Sequence, residues 1–370
     1  MNQYSEMYSI AKQFDIDERI IDIHEHGSGN INRTMFISTV SGDEYIMQRI
    51  NVNVFTRPYV LMRNIASVTD HCKHFIEQNG GDPERDTLTI VKTKDGKNLL
   101  RFGDSYYRMY KYVEDCMVFD KLTTPEMFGS AGEAFGKFVR MLDGYPIEEL
   151  DETIPNFHNS KIRYRDFLKS IRRDPCGRVS EVLPEIEAIK SRFFDLTRII
   201  DLMEVGEIPV RVTHNDTKVS NVLFDKDTGS ALCVIDLDTV MPGSILYDFG
   251  DAIRSGASTS PEDGTAPQLD LDYFTAFTAN YLAQTGDILK PKEIENLAFA
   301  CRTITLELAM RFLDDYINGD TYFRCKYENH NLVRAQNQLA LLKSMEEHYD
   351  EMCAIINNIL ARKNELVDPI

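Results

Sequence analysis

Short runs of alternating apolar and polar residues recur through the first 112 positions, and apolar residues at helical spacing dominate from Thr123 onward. The pattern predicts a β-rich segment followed by a helical one. Alternating runs at 20–26, 34–40 and 45–50, separated by the turns Gly27-Ser28-Gly29 and Ser41-Gly42-Asp43, read as a meander. Two further strands, 88–93 and 98–102, flank Lys94-Asp95-Gly96-Lys97, whose Asp-Gly predicts a hairpin. A last strand is expected at 105–112. Within this segment lie a short amphipathic stretch at 8–14 and a helix at 58–78, with Val60, Leu61, Ile65, Val68, Phe75 and Ile76 at helical spacing. From Thr123 onward helices are predicted at 125–142, 161–172, 184–203, 271–285, 291–318 and 331–363. The stretch 255–272, rich in Ser, Gly, Pro and Asp, reads as a mobile loop. The change of pattern falls near 112–116 and divides an α+β chain into 1–113 and 114–370.

Composition narrows the class of partner. A chain of 370 residues can bury two cores, and 41 basic against 59 acidic residues give a net charge of −18. Nucleic acid or an anionic membrane needs a basic face, so both are excluded as expected partners. No run approaches the roughly 18 apolar residues of a membrane span, and the start, Met1-Asn2-Gln3-Tyr4, lacks the pattern of a signal peptide. A cytoplasmic protein is expected, acting on small molecules as a monomer or a homodimer. The 7 cysteines form no C-x-x-C pair, which fits reduced thiols in a core.

The chemistry concentrates between 212 and 238. There His214, Asp216 and Asn221 lie in a polar stretch between two β-branched runs, and the next apolar run ends in Asp236 and Asp238. Phosphoryl transfer needs a carboxylate to orient a hydroxyl and take its proton, with a divalent cation to neutralise the triphosphate. Asp216 suits the first task. Asn221 and Asp236 offer the hard oxygens that Mg²⁺ prefers. His214 is either a brace for this loop or a satisfied histidine without chemistry, and Asp238 is either a second metal ligand or a solvated neighbour. Tyr247-Asp248-Phe249-Gly250 spells a protein-kinase metal motif, but it follows a turn at Met241-Pro242-Gly243 and opens a helix at 247–255, so Asp248 is not read as a ligand. Gly27-Ser28-Gly29, between two strands, can bring backbone N–H groups against phosphate.

The segment resembles the catalytic core of the aminoglycoside phosphotransferase and choline kinase branch of the protein-kinase-like fold. His-x-Asp, an Asn five residues beyond, and Ile-Asp on the following strand are met by His214, Asp216, Asn221, Ile235 and Asp236. The resemblance implies a two-lobed protein-kinase-like fold, with a β-rich N-lobe for ATP and a mainly helical C-lobe for catalysis and substrate. It implies Mg²⁺ at Asn221 and Asp236, and Asp248 bracing the catalytic loop from below. It further implies Gly27, Ser28 and Gly29 at the phosphates, Asn32 reaching phosphate or sugar, and an adenine hinge at 109–113 that includes Tyr110 and Tyr112. The strand 45–50 departs from the family, which places a lysine there. Gln48 occupies that register, with Arg49 on the opposite face. Either Gln48 hydrogen-bonds the phosphates or Arg49 turns inward.

Wider similarity, over 48–55, 214–225, 234–243, 246–254 and 307–316, resembles the N-acetylhexosamine 1-kinase family, in which Gln48 becomes a shared trait. This implies transfer of the γ-phosphate of ATP to the anomeric hydroxyl of N-acetylglucosamine or N-acetylgalactosamine. It implies Arg311 as a donor to sugar hydroxyls and Lys218 as a phosphate or loop ligand. Beside this, an ion pair from Arg311 to Asp314 or Asp315 at helical spacing stays open, and Arg302 is a lesser candidate. An aminoglycoside kinase is the competing enzyme, with Glu262, Asp263, Asp270 and Asp272 facing a polycation. A nucleotide-binding regulator without turnover is the competing class.

Overall fold

A computed structural model describes residues 3–16, 19–27 and 31–367. The chain runs α1 (Gln3–Ala11), β1 (Ile20–Glu25), β2 (Arg33–Thr39), β3 (Glu44–Arg49), α2 (Pro58–Gln78), β4 (Ile90–Val91), β5 (Leu100–Phe102), β6 (Ser105–Lys111) and β7 (Cys116–Met117). It continues through α3 (Pro125–Met141), α4 (Ser160–Arg173), α5 (Leu183–Lys190), α6 (Phe193–Glu204), β8 (Arg211–Thr213), β9 (Val222–Asp225), β10 (Ala231–Val234) and β11 (Met241–Gly243). The last helices are α7 (Ile245–Gly256), α8 (Leu271–Thr285), α9 (Pro291–Glu295), α10 (Leu297–Ile317), α11 (His330–Glu347) and α12 (Tyr349–Val367). The fold is α+β and protein-kinase-like, with a β-sheet N-terminal region and a helical C-terminal region. No helix among the described residues is long and apolar enough to cross a membrane.

Two compact units emerge. The first comprises Met1–Met117, Gly144–Pro155 and Leu223–Met241. Its antiparallel sheet has the order β1-β2-β3-β6-β4, with β5 also paired to β6. The inward positions Ile37, Met47 and Met109 are fully buried with Ile10 and Phe14 of the N-terminal segment. Each such side chain contributes about 1.5–3 kcal/mol by leaving water. The hairpin expected at 94–97 is a tight turn, with Gly96 N–H bonded to Thr93 O at 2.8 Å. Its flanking strands do not pair with each other: β4 and β5 both pair with β6.

The second unit comprises Val118–Asp143, Asn156–Val222 and Pro242–Ile370. Here α3 lies against α8 along a glycine seam. A Cβ on Gly132 would meet the Phe277 carbonyl oxygen at 2.5 Å, so only glycine lets the two backbones approach this closely.

Three helices expected as continuous are each interrupted within one or two residues. Ser191 and Arg192 separate α5 from α6, Arg192 giving its Nη1 to Ala188 O at 3.0 Å and its Nε to Glu346 at 2.7 Å. Buried Asn296 separates α9 from α10, accepting from Arg198 and donating to Lys292 O, both at 2.8 Å. His348 separates α11 from α12. Breaks this short leave the apolar period almost unshifted. Met241–Gly243, expected as a turn, is the strand β11. The stretch expected to be a mobile loop is anchored: Ser258 and Leu269 form a bridge, and Asn337 Nδ2 donates to Pro261 O and Gly264 O at 3.1 and 2.9 Å.

Candidate active site

The loop of the second unit that carries His214, Asp216 and Asn221 begins where β8 ends. His214 is fully buried, with Phe135 and Phe138 of α3 edge-on at 6.0 and 5.9 Å. The chain turns at Asn215 through a left-handed conformation, φ 64°, which Asn tolerates better than most residues. Asp248, in the first turn of α7, holds this turn from below: its carboxylate accepts the N–H groups of His214 and Asn215, each at 2.7 Å. Its own carbonyl accepts the Thr217 hydroxyl at 2.5 Å. Burial pushes the Asp248 carboxyl up to about 6, against the pull of His214 and the two backbone donors. A carboxylate so enclosed and so fully bonded is a brace, as expected of it.

Asp216 follows at the loop's crest, with its side chain about one-third exposed at 33%. Its N–H donates to His214 Nδ1 at 3.2 Å, which orients the imidazole. The carboxylate Oδ2 accepts from Lys218 Nζ at 2.7 Å and from Asn221 Nδ2 at 3.0 Å, and Asn221 Nδ2 also reaches Asp216 O at 2.8 Å. Burial opposes ionisation of Asp216, but Lys218, His214 and Asn221 outweigh it and hold the carboxyl below the usual range. Asp216 is therefore ionised at neutral pH. Asn221 spends its amide N–H on Asp216 and keeps its Oδ1 free of hydrogen bonds among the described residues.

In the first unit, β10 leads to Asp236, which adopts a left-handed conformation, φ 60° and ψ 55°, and starts a 3-10 turn over Leu237–Thr239. Asp238 on that turn is neither a solvated neighbour nor an open ligand: it is buried, ion-paired with Arg108 and bonded to Asn32 Nδ2 at 2.6 Å. Asn32 Oδ1 accepts the Asn51 N–H at 3.0 Å, so both ends of its amide are engaged. Gln48 stands opposite Thr34 and Arg108 in the sheet, donating to Thr34 Oγ1 at 3.1 Å and accepting from Arg108 Nε at 2.9 Å. Arg49 is exposed. Tyr110 is buried with the Arg108 guanidinium 5.3 Å over its ring, and Tyr112 packs edge-on to Phe36 at 5.3 Å. The Tyr112 N–H already bonds Glu44 O at 2.9 Å, and that of Lys111 bonds Thr89 O. Gly27 has φ 74°; Ser28 and Gly29, with Asn30, lie outside the described residues.

Arg311, on α10, lines a cavity of about 430 Å³ in the second unit with Arg163, Arg173, Asp314, Asn318 and Tyr322. Its side chain is 11% exposed and lies over Phe157 and Phe323 at 5.2 and 5.6 Å. Neither Asp314 nor Asp315 pairs with it; the nearest carboxylate is Glu307 at 3.9 Å, beyond hydrogen-bonding distance. Glu307 is bonded to His158 at 2.9 Å, and His158 stacks on Tyr247, the neighbour of Asp248, at 4.9 Å. No residue of the 214–221 loop lines the cavity. Arg302 is bonded to Asp195 at 2.6 Å.

A model of the phosphotransferase enzyme family matches residues 22–283, well over half of the chain. The chain belongs to this phosphotransferase family. Among solved structures it is similar to the microcompartment-associated aminopropanol kinase, at 15% identity over 95% of this chain and 99% of that one, with a TM-score of 0.62. It is also similar to an amicoumacin kinase in complex with AMP-PNP and Ca²⁺, at 11% identity over 94% of each chain, with a TM-score of 0.58. A curated relative, an uncharacterized kinase-like protein of Caenorhabditis elegans, is 22% identical over 172 residues, 44% of this chain and 43% of that protein. The match thus spans less than half of the relative's length.

Among the described residues no three His, Cys, Asp or Glu side chains cluster as a protein-only metal cage. Asn221, in the second unit, and Asp236, in the first, each carry a hard oxygen of the kind that Mg²⁺ prefers. Sequence reasoning missed Arg108 and the pair Glu307–His158. Each left a trace: a lone charge inside an apolar run, Tyr106-Tyr107-Arg108-Met109-Tyr110 and Thr305-Leu306-Glu307-Leu308.

Proposed function

We propose that this protein is an ATP-dependent kinase that phosphorylates the anomeric hydroxyl of N-acetylglucosamine or N-acetylgalactosamine. The observation that carries the kinase reading is Asp216: ionised, one-third exposed, and aligned by Lys218 and Asn221 on a loop fixed by Asp248. Asp216 orients the acceptor hydroxyl and takes its proton as the oxygen attacks the γ-phosphorus and ADP departs. Lys218, paired with Asp216, lowers its basicity. That favours the most acidic hydroxyl of a sugar, the anomeric one. Bound Mg²⁺, with Asn221 and Asp236 assigned by the motif as its ligands, would neutralise charge on the transferring phosphate.

The acceptor reading rests on the resemblance over 307–316; there Arg311 is nearly buried and, beyond its 3.9 Å approach to Glu307, makes no hydrogen bond among the described residues. The aminoglycoside alternative loses force from the acids it invoked. Glu262 is bonded to Arg254 at 3.0 Å, Asp263 to His330 at 3.3 Å, and Asp270 caps α8. Phosphorus NMR of the product formed from ATP and N-acetylglucosamine tests the proposal. A 1-phosphate is expected, with no turnover of the methyl glycoside, whose anomeric oxygen carries no proton. A 6-phosphate, or turnover of kanamycin in place of the sugar, would refute the 1-kinase reading.

A further inference from the structure

Arg108 lies in the middle of β6 and is 1% exposed. A guanidinium keeps its charge at any physiological pH, so its burial requires acceptors arranged in advance. Two are present: the buried carboxylate of Asp238 and Gln48 Oε1 at 2.9 Å. Asp238 is separated from Asp236 by one residue, on the same 3-10 turn. The left-handed backbone at Asp236 is disfavoured for a residue with a side chain, and such a conformation persists only where its surroundings over-determine it. Here the determinants can be named. Beyond the turn, Asn64 Nδ2 donates to Val240 O at 3.1 Å, and on the turn itself Asp238 is clamped by Arg108 and by Asn32 at 2.6 Å. The row Thr34–Gln48–Arg108, linked across three strands, fixes the clamp to the sheet. The Asp236 charge also acts on the Arg108 guanidinium.

The geometry points to Arg108 as a positioning residue: through Asp238 it fixes the left-handed turn that presents the Asp236 carboxylate to the cation of the nucleotide. The inference rests on the assignment of Asp236 as a metal ligand. It explains why Gln48 is turned onto Arg108 and Asn32 onto Asp238. The row aims a ligand rather than touching phosphate.

Mn²⁺ binding to the AMP-PNP complex, followed by electron paramagnetic resonance, tests this without turnover. The double variant Arg108→Met with Asp238→Asn removes both charges, keeps an acceptor for Asn32, and leaves no buried charge stranded. It should melt close to the wild type and bind Mn²⁺ about tenfold more weakly, the usual scale for loss of an outer partner of a metal ligand. AMP-PNP affinity without metal should not change. Arg108→Lys, which keeps the charge but cannot bridge Asp238 and Gln48 together, should fall between, and it carries the test if the double variant does not fold. Unchanged Mn²⁺ affinity in these variants would reduce Arg108 to a structural ion pair. An equal loss of AMP-PNP affinity with and without metal would make it a phosphate ligand instead. Asp236→Asn separates the two levels of the argument. If it too leaves Mn²⁺ affinity unchanged, the metal assignment fails and the inference with it. If it weakens Mn²⁺ while the Arg108 variants do not, only the inference fails.

Discussion

Asp248→Ala offers a test in which two opposing effects are separable by pH. The substitution strands the buried N–H groups of His214 and Asn215, which the carboxylate accepts at 2.7 Å. Each stranded donor costs about 1–3 kcal/mol. Against this, the wild-type carboxyl is pushed from 3.8 to about 6 by burial, which makes its ionised form about 3 kcal/mol less favourable in the fold than in the unfolded chain. Between these values the folded protein holds a proton that the unfolded chain has released. The contribution of Asp248 to stability is therefore full in acid and falls as pH rises through 6. The alanine variant lacks this dependence. Its loss should be about 2 kcal/mol at pH 7.5 and about 1.4 kcal/mol greater at pH 5. Urea denaturation of both proteins at the two pH values, monitored by circular dichroism, gives the difference directly, since all unaltered groups cancel. A loss equal at both pH values would show that the fold favours neither form, and one larger at pH 7.5 that it favours the charged form; either would show that burial does not dominate at Asp248.

Asp216→Asn keeps the shape of the loop crest and removes the proton acceptor, so kcat should fall by about 10²-fold or more while titration calorimetry still finds ATP binding; near-full turnover would remove Asp216 from its role. Arg311→Ala should raise KM for the sugar more than KM for ATP, because a donor to sugar hydroxyls acts mainly in ground-state binding; steady-state kinetics with each substrate varied separates the two. Gly132→Ala drives a methyl against Phe277 O and should lower stability by about 1–3 kcal/mol, read from the urea midpoint at constant slope.

The local parts of the candidate site were legible because each is encoded in a few adjacent residues. The 58–78 helix begins at Pro58 and its spacing buries Leu61, Ile65, Val68 and Ile76. The His214, Asp216 and Asn221 spacing fixes one loop, and Asp248, at the start of a helix, proved a brace. What stayed hidden depends on partners far along the chain. Nothing near Asp238 announces that its counter-ion is Arg108, 130 positions earlier. The Asp95-Gly96 turn formed, yet β4 and β5 each found a better neighbour in β6, and no local signal ranks competing strands. Single-residue breaks at Asn296 and His348 are invisible to periodicity because the apolar face resumes almost in phase.

The glycine seam sets a distance as well as a contact. One face of α3 lies backbone-close to α8 at Gly132, and Phe135 and Phe138 of the same helix form the floor under His214. The helix therefore works as a shim of fixed thickness beneath the imidazole that receives the Asp216 N–H. The spacing that glycine allows against α8 thus helps set where Phe135 and Phe138 meet the imidazole. A methyl at Gly129, Gly132 or Gly136 meets α8 at once, so the position of the floor under His214 is set from the opposite end of a helix–helix contact.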